Sequence, residues 1–170
     1  MIILIANING SVGLEEVESA SLNSEIKNLG LELPKKVFSE KDLLNMLEDK
    51  KDNECILFTN FPPDSSYPGS GKQIKITDKG DYYNRSWDAD SYEISHALFR
   101  KIVGNYNLKA IHFLTGAPES MISDKMLTYF SSSETVVTVT RRKELMAKVS
   151  EYPRLYKQFV LEKVKETINK

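Results

Sequence analysis

The side chains best suited to catalysis or metal binding are few and scattered. The chain contains two histidines, His96 and His112, and one cysteine, Cys55. Neither histidine has a cysteine or carboxylate at metal-ligand spacing, and Ser120 lacks the flanking glycines of a nucleophile elbow. His112 and Cys55 both lie in apolar runs, so we interpret them as buried packing residues. The sequence therefore predicts no catalytic residue and no metal site.

Two glycine-rich segments have some features of phosphate-binding loops. Gly69-Ser70-Gly71-Lys72 ends like a P-loop, but Gln73 replaces the required hydroxyl residue and no apolar strand precedes the segment. Gly10-Ser11-Val12-Gly13 follows an apolar run and precedes a helical pattern, where backbone N–H groups can hold an anion. Its spacing falls short of a dinucleotide fingerprint, so we interpret it as a tight turn, with anion binding as the alternative. We predict no cofactor.

A dense polar and aromatic cluster occupies the middle of the chain. Its members are Asp81, Tyr82, Tyr83, Arg85, Trp87, Asp88 and Asp90. Such a group can grip a ligand or a partner surface, although a hairpin tip followed by helix caps explains the same residues. We take Tyr82, Tyr83, Arg85 and Trp87 as a candidate contact surface.

Four short apolar runs are predicted to form the strands that position these residues. They are Ile2–Ala6, Cys55–Phe58, Ala110–Leu114 and Thr135–Val139, and they show no polar alternation. This pattern is typical of parallel strands buried on both faces. Sites in such sheets lie beyond the carboxyl ends of the strands. The polar residues that follow the runs form the candidate rim for a ligand or partner: Asn7, Asn9, Asn60, Thr115, Arg141 and Arg142.

The segments between the runs complete an α/β pattern. A weak strand is predicted at Lys36–Phe38. Helices are predicted at Leu14–Leu29 with Gly30 after it, after an N-cap at Ser39, at Ala89–Val103, at Pro118–Phe130, and from Lys143 with an interruption at Pro153. The predicted fold is a doubly wound, mostly parallel five-stranded sheet. Strand candidates at Gln73–Thr77 and Tyr82–Tyr83 predict a β-hairpin inserted within residues 60–88.

We expect one domain over residues 1–150, followed by a C-terminal helix over residues 151–170. This last segment carries an apolar stripe from Leu155 to Ile168. A stripe of this kind packs on its own domain or forms a homodimer contact. A purely structural subunit built on this helix is a further alternative.

Net charge and hydropathy limit the classes of partner and the cellular location that we expect. The 23 basic and 24 acidic residues give a net charge of −1, which does not favour nucleic acid or an anionic membrane. No run approaches the roughly 20 apolar residues of a membrane span, and Met1–Ile8 is too short for a signal-peptide core. We expect a cytoplasmic protein whose partner is another protein.

The order of elements resembles the receiver domain of bacterial response regulators, a five-stranded flavodoxin-like fold. Ile56–Pro63 is similar to that family's third strand and its following proline, Ile111–Ala117 to its fourth strand with a terminal hydroxyl residue, and Val137–Leu145 to its fifth strand with a basic exit. The likeness covers about residues 1–150. It implies that Thr115 matches the family's hydroxyl residue.

The departures from this family concern its chemistry. Receivers bind magnesium through acidic residues after the first strand, where this chain has Asn7 and Asn9, and they phosphorylate an aspartate at the end of the third strand, where Thr59 and Asn60 stand. The family's fifth-strand lysine is at best replaced by Arg141 or Arg142. Because amides cannot form an acyl phosphate, the resemblance implies a degenerate receiver-like module without phosphorelay chemistry.

Two functions follow as hypotheses. The first is a non-catalytic signalling or protein-interaction domain that uses the rim and the hairpin residues. The alternative is a small enzyme or binding domain for a phosphorylated or nucleotide-like ligand. In that case Gly10–Gly13 and Arg141-Arg142 would hold the anion, and Asp88 or Asp90 would be the acid–base group.

Overall fold

The structure is a computed structural model that describes residues 1–7, 14–59, 73–76, 82–85, 106–115, 134–145 and 148–170. The strands are β1 (Ile2–Ala6), β2 (Lys35–Val37), β3 (Cys55–Thr59), β4 (Gln73–Ile76), β5 (Tyr82–Arg85), β6 (Leu108–Thr115) and β7 (Val136–Arg141). The helices are α1 (Ser19–Asn28), α2 (Glu40–Asp49) and α3 (Tyr152–Ile168). The helices predicted at Ala89–Val103 and Pro118–Phe130 lie outside the described residues.

A parallel sheet organises the fold. Its strands lie in the order β2-β1-β3-β6-β7, and every neighbouring pair is parallel. All five residues of β1 and all five of β3 are buried. Because both faces of these strands are covered, their sequences show no polar alternation. The predicted α/β architecture with a five-stranded parallel sheet is confirmed.

The strands β4 and β5 form a separate antiparallel ladder. Gln73 pairs with Arg85 and Ile76 pairs with Tyr82. The turn predicted at Asp78–Asp81 lies outside the described residues.

The helix predicted at Leu14–Leu29 is divided in two. Leu14–Glu16 forms a short 3-10 helix, and α1 begins only at Ser19. The Nζ atom of Lys36, on β2, lies 2.6 Å from both Glu16 Oε2 and Ser19 Oγ. This tertiary contact holds the two segments against the sheet edge, and nothing in the local helical pattern signals it.

Local signals place the ends of α1 and α2 correctly. Gly30 has φ of 77° after α1, and its N–H donates to Lys27 O while that of Leu31 donates to Ile26 O. This is the bonding of a Schellman motif, which favours glycine. At the start of α2, Ser39 Oγ accepts from the N–H of Asp42 at 3.1 Å, as an N-cap does.

The C-terminal helix differs from its prediction. Two 3-10 helices, Arg142–Leu145 and Val149–Glu151, precede α3. Pro153 lies in the first turn of α3 rather than breaking a longer helix. Proline is tolerated there because the first-turn N–H groups have no partner within the helix. None of the described helices is long and apolar enough to cross a bilayer.

The apolar stripe of α3 packs against its own sheet. Tyr156, Phe159, Val160 and Val164 are buried in one cluster with side chains from β1, β3, β6 and α1. Lys157 ties the two helices together, since its Nζ atom lies 3.0 Å from Ser21 Oγ and 3.3 Å from Glu25 Oε2. These side chains thus make their contacts within the chain. The homodimer through Leu155–Ile168 stays a prediction.

Substituting Val160→Ala should lower the free energy of unfolding by about 2 kcal/mol, because two methyl groups leave a closely packed site. Val160 is 0% exposed, whereas Val149 is 60% exposed. The matched control Val149→Ala should change stability by no more than about 0.5 kcal/mol. Urea unfolding measures both variants. Equal losses, or a Val160→Ala loss that varies with protein concentration, would contradict packing within one chain.

Candidate functional site

The carboxyl edge of the sheet gathers the predicted rim residues that the structure describes. Asn7 follows β1, and Thr115 and Arg141 are paired in register where β6 and β7 end. Arg142 follows at the start of a 3-10 helix. Because the five strands are parallel, these positions share one edge. Asn9 and Asn60 lie outside the described residues.

The predicted contact surface of the hairpin is described only in part. Tyr82, Tyr83 and Arg85 are on β5, where Tyr83 pairs with Lys75 of β4. Trp87 lies outside the described residues. The spatial relation between this ladder and the rim therefore stays a prediction.

Asn7 has a structural role at this edge. Its backbone N–H donates to Val37 O at 3.0 Å and so extends the pairing of β1 with β2. Its side chain is buried, with 7% exposed. It lines a small cavity together with Glu15 and Thr59. The amide therefore faces the interior of the edge more than the solvent.

That cavity lies where the strand order reverses. The chain passes from β1 to β2 on one side and from β3 to β6 on the other, which is where ligands bind in open α/β sheets. Here Tyr156 and Phe159 of α3 line the space together with Phe58 and Leu114. The remaining volume of about 10 Å³ holds about one water.

Glu15 is a functional candidate that the sequence analysis missed. Its Oε1 atom accepts a hydrogen bond of 2.8 Å from the hydroxyl of Tyr152, 137 positions away. The contact joins the first segment after the β1 loop to the start of α3. It also places one carboxylate at an edge that we expected to carry only amides, hydroxyls and arginines. No local pattern could have indicated a contact over that separation.

His112 is buried in the face of the sheet that α3 covers. It is 2% exposed, and its Nδ1 atom lies 2.7 Å from Thr138 Oγ1. The ring contacts Phe58 and Phe159, with centroids 5.1 and 6.4 Å away. Its Nε2 atom has no hydrogen-bond partner in the described part of the chain. This environment matches the structural role predicted for His112.

Burial dominates the electrostatics of His112. Desolvation, followed by the positive charges of Lys163 and Lys170, lowers the pKa of His112 from 6.5 to about 4. The imidazole is thus neutral near neutral pH. Cys55 is likewise buried, and burial raises the pKa of its thiol, so the thiol is a poor nucleophile.

No metal centre marks the rim in the described residues. No three His, Cys, Asp or Glu side chains converge in those ranges. A pocket of about 460 Å³ lies instead at the amino-terminal edge of the sheet, beside Met1, Glu54 and Lys109. Lys109 Nζ and Glu54 Oε1 already form an ion pair there at 3.4 Å.

Acidification should destabilise the fold through His112. Its pKa of about 4 in the folded chain lies below the ordinary 6.5, so the unfolded chain binds the proton first. The contribution of His112 to the free energy of unfolding therefore stays constant above pH 6.5, falls as the pH drops below that value, and stops falling below about pH 4. The full loss is up to about 3 kcal/mol.

The measurement is the free energy of unfolding of the wild type minus that of His112→Gln, followed from neutral pH to about pH 4. Other titrations cancel in this difference, and glutamine can still hydrogen-bond Thr138. We expect the free energy of unfolding of the wild type, relative to that of His112→Gln, to decrease as the pH is lowered from neutral to about 4. A difference that stays constant would contradict the buried, unpartnered imidazole.

Comparison with known proteins gives no family for this chain. No protein-family model, curated protein or solved structure shows significant similarity to it. The resemblance to receiver domains thus rests on the sequence features given above.

Proposed function

We propose that this chain is a non-catalytic, receiver-like signalling or protein-interaction domain without phosphorelay chemistry. Its contact surface is the rim of Asn9, Asn60, Thr115, Arg141 and Arg142 together with the hairpin residues Tyr82, Tyr83, Arg85 and Trp87, whereas Asn7 is buried beneath the rim. The partner is another protein, and the domain acts in the cytoplasm. Nucleic acid and membranes are not partners in this proposal.

The strand order supports the receiver-like scaffold. In flavodoxin-like sheets the first strand lies between the second and third, and the remaining strands follow in chain order. The order β2-β1-β3-β6-β7 has this arrangement once the β4–β5 ladder is set aside. The ladder falls between β3 and β6 in the chain, which fits a hairpin inserted into such a scaffold.

The residue at the end of β3 carries the proposal. The resemblance implies a phosphoacceptor aspartate there, and this chain has Thr59, which is 3% exposed. A threonine hydroxyl cannot form an acyl phosphate, and its burial limits access by a phosphoryl donor. Asn7 stands where the resemblance implies magnesium-binding acids. Among the described residues, Glu15 lies near this point, and its carboxylate accepts the hydrogen bond from Tyr152.

The packing of α3 gives independent support. Tyr156 and Phe159 leave room for about one water between the ends of β1 and β3. A domain that recognises a partner through its outer rim does not need this crevice open. An enzyme acting on a nucleotide does.

The alternative is a binding domain or enzyme for a phosphorylated ligand. One observation favours it: Arg141 ends β7 beside Thr115, so a basic residue does occupy the carboxyl edge. Gly10–Gly13 would supply backbone donors for the anion, and Asp88 or Asp90 the acid–base group. The phosphorylation and ligand-binding experiment described next distinguishes the two functions.

The chain should not react with acetyl phosphate and Mg²⁺. Intact-mass spectrometry should show no phosphoryl adduct, with an authentic receiver domain as the positive control. Phosphate, Mg²⁺ and nucleotides should leave the melting temperature unchanged, because a ligand that binds only the folded state would raise it. An adduct, or a clear rise with one compound, contradicts the proposal and supports the alternative.

The second arm of this experiment follows the partner. The tagged chain is cross-linked in its own cells, and the recovered complex is compared with that of the double variant Tyr83→Ala, Trp87→Ala. The complex should weaken while the melting temperature stays nearly the same. Tyr106→Ala is the aromatic control, because Tyr106 precedes β6 at the opposite edge. An unaffected complex rejects the hairpin as the contact site.

A further inference from the structure

A groove runs between the edge strand β2 and one flank of α2. Its volume is about 370 Å³, and it is lined by Lys36, Val37, Phe38, Asp42, Asn45, Met46 and Asp49. The sequence analysis singled out none of these residues for function. The groove adjoins the carboxyl edge, because Val37 O accepts from the N–H of Asn7, but none of its lining residues belongs to the rim.

The outer side of β2 offers unpaired main-chain groups. Val37 O accepts from the N–H of Asn7, so the peptide groups of Val37 face β1. Peptide groups alternate along a parallel strand, and those of Lys36 therefore face away from β1. No strand in the described ranges pairs with this side of β2. The N–H and C=O of Lys36 are placed to receive an added strand.

The groove also presents apolar surface beside this edge. Phe38 is 51% exposed, although it directly follows β2 and lies next to the capped start of α2. Met46 is half-buried on the facing flank of α2. An exposed aromatic ring beside an open strand edge favours an extended segment with an apolar side chain.

The charge of the groove identifies the kind of segment. Asp42 and Asp49 lie two turns apart on the flank of α2 that lines it. Asp49 makes only a long contact with Lys50, 3.7 Å, and its side chain is 71% exposed. The lining cation, Lys36, is already paired with Glu16 at 2.6 Å. The two aspartates therefore leave the groove with a negative charge that a cationic segment would complement.

We propose that β2 and α2 form a docking groove for an extended segment of a partner protein that alternates apolar and cationic side chains. The segment adds to β2 through the main-chain groups of Lys36. Its apolar side chains contact Phe38, and its lysine or arginine side chains, which point to the opposite face, approach Asp42 and Asp49. Of the three residues of β2, only Lys36 presents its main-chain groups to the segment, so the affinity is modest.

The test is an NMR titration of the labelled full chain with a blocked peptide of alternating lysine and valine. We expect saturable amide shifts at Lys36 and Phe38 and along α2. A peptide of alternating glutamate and valine, with the same backbone and the opposite charge, should produce no such shifts. No saturable shift at β2, or an equal response to both peptides, overturns the proposal.

Matched variants locate the contact. Phe38→Ser should weaken binding of the lysine–valine peptide roughly tenfold, whereas Leu33→Ser, which removes a similarly exposed side chain (47%) outside the groove, should not. The double variant Asp42→Asn, Asp49→Asn should also weaken binding, and Asp52→Asn should not. If controls and groove variants weaken binding alike, the proposal fails. Concentration-dependent shifts at β2 without peptide would also overturn it, since the occupant would then be a second copy of the chain.

Discussion

The packing of α3 on the sheet is the interaction on which the described structure depends. Phe159 lies at its centre, with its ring 6.0 Å from that of Phe58 and 6.4 Å from that of His112. The same helix buries one face of β1, β3 and β6. It also binds Glu15 through Tyr152. One helix therefore covers one face of the sheet and also holds the 3-10 helix Leu14–Glu16.

This packing has a functional consequence at the carboxyl edge. In an open α/β sheet, the point where strand order reverses is the usual ligand crevice. Here Tyr156 and Phe159 fill most of that space, and Asn7 and Thr59 are buried around it. The other part of this edge is its outer rim, where β6 ends at Thr115 and β7 ends at Arg141. The proposed function uses this outer rim and not the crevice.

The sequence predicted the features that short-range physics determines. The predicted run Cys55–Phe58 lies within the strand Cys55–Thr59, because an unbroken apolar run of this length is typical of a strand buried on both faces. Gly30 and Ser39 mark helix ends through their own backbone or hydroxyl. Contacts over long separations were not predictable: Lys36 binds both Glu16 and Ser19, and Tyr152 binds Glu15. At the site, the positions of Asn7, Thr115 and Arg141 followed from strand order, but the filling of the crevice did not.

The most direct measurement of the central claim is a proton NOE experiment on the chain with labelled aromatic rings. The account predicts cross-peaks from the Phe159 ring to the rings of Phe58 and His112, together with slow exchange of the α3 amides. Absence of these cross-peaks, with α3 amides that exchange as fast as free peptide, would contradict it. The crevice between β1 and β3 would then be open.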